Sequence, residues 1–182
     1  MIIDGKHWLV PSFVGNELVD VFWLRPEQVR VEDVAETLSK INRFNGRTPY
    51  PYSVAQHAVL TSHLTAPVWA FEALHHDDTE AYLGDVIGPV KRLLPLVGRI
   101  EKRIRRRAIA PAFGLCAHEP VSVKDADYAA LRIEQVCLQS RGVPIPPLHT
   151  PLSKVKDMLR PLHWRKARDL YLERHWELYG VD

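Results

Sequence analysis

Five of the seven residues from Leu74 to Glu80 can bind a metal ion or move a proton, yet they sit in a segment that otherwise reads as an apolar helix. The run is Leu74-His75-His76-Asp77-Asp78-Thr79-Glu80, flanked by Phe71, Tyr82 and Leu83. Burying unpaired charge costs several kcal/mol per group, so any fold for this chain must bring partners to that run. A divalent cation is the most economical partner. Neighbours on a helix project about 100° apart, so an adjacent His-Asp pair can fill two cis positions of one ion. His76 and Glu80 are four residues apart and share a face. Glu80 is therefore expected near the ion but one turn further on, where a proton-transfer group would sit. Asp85 lies beyond Gly84 at the same end and fits either a helix-end role or a role in the site.

The 182 residues suit one domain or one domain with a small appendage. A hydrophobic fraction of 46% and a charged fraction of 25% are ordinary for a soluble globular protein. A formal charge of +2 is too small to make nucleic acid the main partner, although a small anion needs only local charge. Cys116 and Cys137 form no CxxC pair and no disulfide framework, which fits a reduced cytoplasmic setting. The N-terminus lacks the basic start and apolar run of a signal peptide, and no membrane span is expected.

Residues 6 to 24 carry two aromatic and β-branched runs, Lys6–Val10 and Leu18–Leu24, separated by Gly15-Asn16, which predicts a short hairpin. After Pro26 the period becomes helical. Val31, Val34, Leu38 and Ile41 predict a helix of about three turns that Asn45-Gly46 ends. Ser53 and Gln56 are spaced as a capping box for a second helix. A third is expected from about Val68 to Leu83, stopping at Gly84, and a short one from Pro89 through Leu94. Another runs from Gly98 to about Phe113, with Ile100 and Ile104 inward and Lys102, Arg103, Arg105, Arg106 and Arg107 around the remainder. Ser122, with Asp125 at the capping-box position, is expected to cap a long helix to about Gln139. Closing helices are expected near Leu152–Leu159 and Trp164–Tyr179. The fold class is mainly α, a single helical domain: a hairpin appendage (1–25), a metal-site helical core (26–140) and C-terminal helices (141–182).

Two side chains from one helix do not complete a metal site. His57 lies in the preceding helix, a separation natural for antiparallel neighbours, and Asp127 falls in the first turns of the long helix. Two imidazoles and two carboxylates leave positions open to water, which distinguishes a catalytic from a structural site. The order His57, His76-Asp77, Asp127 resembles the H…HD…D pattern of HD-domain phosphohydrolases. The surrounding words Ile41-Asn42-Arg43-Phe44, Tyr52–Ala58, Ala73–Tyr82 and Pro89–Pro95 are similar to the branch of bacterial 5′-deoxynucleotidases, phage and prophage HD proteins and phage dATP triphosphohydrolases. The likeness covers roughly residues 5 to 140.

That resemblance implies an HD-domain helical bundle and one divalent transition metal ion (Mn, Co, Fe, Ni or Zn) on His57, His76, Asp77 and Asp127. It makes Glu80 the acid/base and Arg43 the group that holds the scissile phosphate. Lys91 matches a lysine that could reach phosphate oxygens. Phe44 stands where the deoxynucleotidases carry a tryptophan near sugar and base. The expected substrate is a deoxynucleotide cut at its α-phosphorus: a monophosphate first, a triphosphate as the alternative, with a non-catalytic nucleotide sensor as the reading from another class. The expected partners are that small molecule and further copies of the chain in a dimer or larger ring.

Simpler readings stand beside these. His75 is expected to pack or to support a ligand, and Asp78 to face solvent or cap a helix. Glu134, seven residues after Asp127, could orient a ligand or be solvated. The basic run 102–107 reads as a solvated face, or else as a phosphate- or subunit-contacting one. Lys124 and Arg47 are lesser phosphate candidates. His7, His63, His118, His149, His163 and His175 read as surface or packing groups.

Overall fold

The computed structural model describes residues 7–148 and 152–180, without the side chains of 152–154; Lys6 and His149 lie outside the described residues. It is mainly helical, with one two-stranded sheet near the N-terminus. Strand β1 (Leu9–Pro11) runs antiparallel to β2 (Leu18–Asp20), with Val10 opposite Val19. The second apolar run does not continue as strand to Leu24. The Asp20 carboxylate accepts the Phe22 N–H and turns Val21–Trp23 into a 3-10 turn, which puts Val21 into the core. Asp33 holds the hairpin loop onto the first helix, accepting from Ser12 Oγ and the N–H groups of Phe13 and Val14.

Helix α1 (Val31–Lys40) buries Val31, Val34, Ala35 and Leu38. It ends at Lys40 and not at Asn45-Gly46. Ile41 turns extended, its carbonyl accepts the Val54 N–H, and Asn42 bridges Ser53. Residues Arg43–Gly46 then make a tight turn with Phe44 and Asn45 at φ 56° and 52°. A left-handed backbone costs an L-residue on the order of 1–2 kcal/mol, so the surrounding contacts must impose this turn. The Arg43 N–H donates to the Tyr52 carbonyl, and the result points the Arg43 side chain inward.

Helix α2 (Val54–Leu64) carries the expected Ser53–Gln56 capping box. It has almost no exposed face, because two apolar clusters meet on it. Val54, Ala55 and Ala58 join the cluster built with the hairpin and α1. Leu60 and Leu64 join the one built with Ala126, Ala129, Ala130 and Ile133.

The expected continuous helix from Val68 to Leu83 is broken. Pro67–Trp69 is a 3-10 turn, α3 spans Ala70–Leu74, and α4 spans Glu80–Leu83. Between them the bonds tighten to three-residue spacing: Glu80 N–H to the Asp77 carbonyl and Ala81 N–H to that of Asp78. Side chains compete with the ladder here: His76 Nδ1 donates to the Ala73 carbonyl at 2.7 Å, and His75 and Asp78 bond each other across the same three-residue spacing at 2.6 Å. Gly84 ends the segment as expected, with φ 81°.

Helices α5 (Gly88–Leu93) and α6 (Pro95–Ile104) follow; a π-turn at Arg105–Ile109 leads into α7 (Ala110–Phe113). The π-turn corrects the solvated reading of the whole basic run. Arg105 is swung inward and bonds Glu72 at 2.8 Å, with both side chains about nine-tenths buried. Helix α8 (Val121–Gln139) is capped by Pro120, not Ser122, because the Pro120 carbonyl takes the Val123 and Lys124 N–H groups. Helices α9 (Leu152–Met158) and α10 (Trp164–Leu178) close the chain, and α10 packs on α1, α2 and α3. No helix among the described residues is long and apolar enough to cross a membrane.

Breaking the Glu72–Arg105 pair leaves one buried charge unmatched. Glu72→Ala is expected to lower unfolding stability by about 3–5 kcal/mol in urea titrations, and the double Glu72→Leu/Arg105→Met to lower it far less.

Candidate metal centre

His57, His76, Asp77 and Asp127 come from α2, the turn after α3 and the start of α8, and their tips meet at one point. His57 Nε2 lies 3.0 Å from Asp127 Oδ1 and 3.6 Å from Asp77 Oδ2. His76 Nε2 lies 3.2 Å from Asp77 Oδ2 and 3.7 Å from Asp127 Oδ1. Ligands about 2.1 Å from a shared ion stand about 3.0 Å apart at right angles and about 3.4 Å apart at tetrahedral angles. The ligand atoms of His57, His76 and Asp127 lie within 4.8 Å of one another, a spacing that suits one transition-metal ion, and Asp77 Oδ2 stands beside both imidazoles.

The hydrogen bonds behind the imidazoles set their tautomers. His76 Nδ1 is 2.7 Å from the Ala73 carbonyl, which can only accept, so that nitrogen carries the proton. Against burial, Asp77 and Asp127 push the His76 imidazole well above its ordinary value, so a cation binding at Nε2 would displace a proton; that nitrogen is buried and makes no hydrogen bond. His57 Nδ1 is 2.7 Å from Glu134 Oε1, which likewise leaves Nε2 pointing at the carboxylates. An orphaned imidazole nitrogen between two carboxylates is a donor set that fits a divalent metal ion. Burial alone would raise the Asp77 carboxyl, but His76 beside it holds it far below its ordinary value. At Asp127 the His57 and His76 imidazoles outweigh burial in the same direction.

Around these tips the other expected residues divide. Arg43 is buried, and both its Nε and Nη2 donate to Glu134 Oε2, at 3.1 and 3.0 Å. Its Nη1 stands 3.7 Å from Asp77 Oδ2. Glu80 is buried with Oε2 unpartnered. Burial, then the Asp77 and Asp85 carboxylates, push the Glu80 carboxyl well above its usual range. Lys91 Nζ pairs with Glu101 at 2.7 Å and sits 3.8 Å from Glu80 Oε1.

His76, Asp77, Glu80, Lys91 and Asp127 line a cavity of about 700 Å³. Lys102, Arg105, Arg106 and Lys124 line it too, and so does His118, which the sequence assigned to surface or packing. Phe44 and Asp85 lie outside this lining, as do Arg43 and His57, which stand behind Asp77 and Asp127. Phe44 holds its ring 5.3 Å from the Arg43 guanidinium. Arg47 is exposed. Glu119, at the entrance to α8, faces the same cavity; sequence reasoning missed it because no apolar period or motif marks that loop.

Behind the ligands runs a second polar network. Asp78 is fully buried and not solvent-facing. It accepts from Tyr171 at 2.5 Å and bonds His75 Nδ1, while His75 Nε2 meets His175 Nδ1 at 2.9 Å. Phe113 stacks on the His75 ring at 4.4 Å. The four residues therefore divide in two pairs: His75 and Asp78 face α10, and His76 and Asp77 face the cavity. Tyr171 and His175 are four apart on one helix, a signal too common to single out in sequence.

No family model matches the chain. The Escherichia coli (strain K12) uncharacterized protein YfdR is 44% identical over 132 residues, which cover 72% of this chain and 67% of YfdR. An uncharacterized protein of Rhodobacter capsulatus, RCAP_rcc00048, is 38% identical over 127 residues, 64% of each chain. The aligned segments thus span about two thirds of these relatives' lengths.

Two outcomes are expected. Glu134→Gln loses the charge that orients His57, so Mn²⁺ or Zn²⁺ affinity by calorimetry should fall about 10–100-fold. Burial and neighbouring His75 push the His175 imidazole down to about 4. Its folded-state value lies below the unfolded one, so its stabilising contribution is complete above pH ~6.5 and is lost as pH falls toward 4. The urea midpoint should drop across that window, and less steeply in His175→Gln.

Proposed function

We propose that this chain, which belongs to the family of the Escherichia coli protein YfdR, is a metal-dependent phosphohydrolase that cleaves a deoxynucleoside monophosphate at phosphorus. One observation carries the reading: His57, His76 and Asp127 converge with Asp77 beside them, and His76, Asp77 and Asp127 share a cavity with the buried Glu80 carboxyl, whose Oε2 has no partner. The similarity of the residues around them to the HD-domain deoxynucleotidases supports the choice of substrate.

A divalent ion on His57, His76, Asp77 and Asp127 would supply Lewis acidity toward a phosphoryl oxygen and an activated water. Arg43 has two of its nitrogens fixed by Glu134, which aims the remaining Nη1 toward the space beside Asp77. A phosphoryl oxygen there gains a charge-assisted donor that needs no reordering. Attack by water breaks the bond to the nucleoside 5′-oxygen, and that oxygen requires a proton. Burial, then Asp77 and Asp85, raise the Glu80 carboxyl, which favours a group that can deliver one, directly or through a water. Lys91, 3.8 Å from Glu80, can receive a phosphate oxygen on the same side.

A second reading, a deoxynucleoside triphosphate cut at the same bond, is favoured by Lys102, Arg106 and Lys124 along the cavity wall. Among the described residues these cations have no carboxylate in ion-pair range, so two further phosphates would find partners there.

The test is to strip the metal, add back Mn²⁺, Co²⁺ or Zn²⁺, and separate products from deoxynucleoside mono- and triphosphate panels by chromatography. Nucleoside plus phosphate is expected; nucleoside plus triphosphate would favour the second reading. Tight nucleotide binding without turnover would make the protein a sensor. Glu80→Gln should lower kcat about 10²–10⁴-fold at little change in KM, and Asp77→Ala should lose both bound metal and activity.

A further inference from the structure

The basic run of α6 and the π-turn after it has two rows, and only one borders the cavity above the ligand atoms. Residues four apart share a side of a helix. Lys102 and Arg106 form one row, and Arg99, Arg103 and Arg107 form the other. The second row faces Trp23, at the end of the 3-10 turn after β2. These six residues line a separate groove of about 590 Å³ with no acidic side chain in its walls. Among the described residues, none of its five cations has a carboxylate within ion-pair distance.

Two further observations mark the groove as a place for a ligand. Trp23 is 60% exposed, although indole is among the most costly side chains to leave in water. The Arg103 guanidinium lies 4.9 Å from the Trp23 ring centre, yet its Nε is buried and makes no hydrogen bond. A merely solvated helix face requires neither. Like charges at four-residue spacing also repel, and a bound polyanion relieves that repulsion. A flat π-surface beside dense, unneutralised guanidinium charge is complementary to a ligand with an aromatic face and several phosphates. The volume suits one such molecule.

We infer that the groove between Trp23 and the Arg99–Arg103–Arg107 row binds a free nucleoside polyphosphate, its base against the indole and its phosphates on the arginines. This site stands apart from the hydrolytic reading, because none of His57, His76, Asp77 and Asp127 lines it. The two spaces nevertheless share Lys102 and Arg106, so charge brought to one is felt in the other.

The test uses the full chain freed of metal, so that nothing is hydrolysed, titrated with dATP at low ionic strength. Calorimetry and tryptophan emission are followed together. Saturable binding with quenching is expected. Trp23→Ala should weaken it at least tenfold and remove the quenching, and Arg103→Gln/Arg107→Gln should weaken it at least tenfold with the helical circular dichroism unchanged. Inorganic triphosphate, which has no π-face, should bind at least tenfold more weakly than dATP. Affinity unchanged in Trp23→Ala, or equal for triphosphate and dATP, would overturn the nucleotide assignment. An oligo(dT) strand that binds more than tenfold tighter than dATP would replace it with a single-strand surface.

Discussion

Glu134 is the group on which the candidate site depends. Its carboxylate is fully buried on α8, where a lone charge would cost several kcal/mol. It is held by the Arg43 guanidinium on one oxygen and by His57 Nδ1 on the other. Burial would raise its pKa, and Arg43 and His57 keep it below the usual value. One carboxylate therefore sets the tautomer of a ligand on α2, aims an arginine from the loop before α2 and ties both to α8. The left-handed turn at Phe44 and Asn45 is what carries Arg43 to that carboxylate.

The turn from His75 to Thr79 solves the packing problem that its composition creates. Two networks leave it on opposite sides. His76 and Asp77 meet His57 and Asp127 on the cavity side. His75 and Asp78 are satisfied inside the protein by Tyr171 and His175 of α10. Helical geometry puts these pairs back to back, because residues three apart share a face and the two between them point away from it. Helix α10, remote in sequence, thereby becomes part of the support of the ligand-bearing turn.

Much of this was legible beforehand for identifiable reasons. The Val31–Leu38 period marked α1, and Ser53 with Gln56 marked the start of α2, because both are local signals. The crowded run at 75–80 announced that partners had to arrive from elsewhere, and the seven-residue interval from Asp127 to Glu134 placed both on one face of α8. Other features were not legible. The π-turn that draws Arg105 to Glu72 packs against the Pro26–Gln28 turn and is held by α3 through Glu72, which no period in the run shows.

The sequence alone determined the mainly helical class, the hairpin and the residue types able to meet at a metal-binding point, since periodicity and charge crowding are properties of neighbours along the chain. Only the tertiary structure decided which member of each adjacent pair faces the cavity, that Glu134 and Asp78 are buried, and that the basic helix divides between two spaces. Those outcomes turn on single-residue changes of phase at turns, and phase is set by partners remote in sequence, such as Arg105 for Glu72, 33 residues away, and Tyr171 for Asp78, 93 residues away.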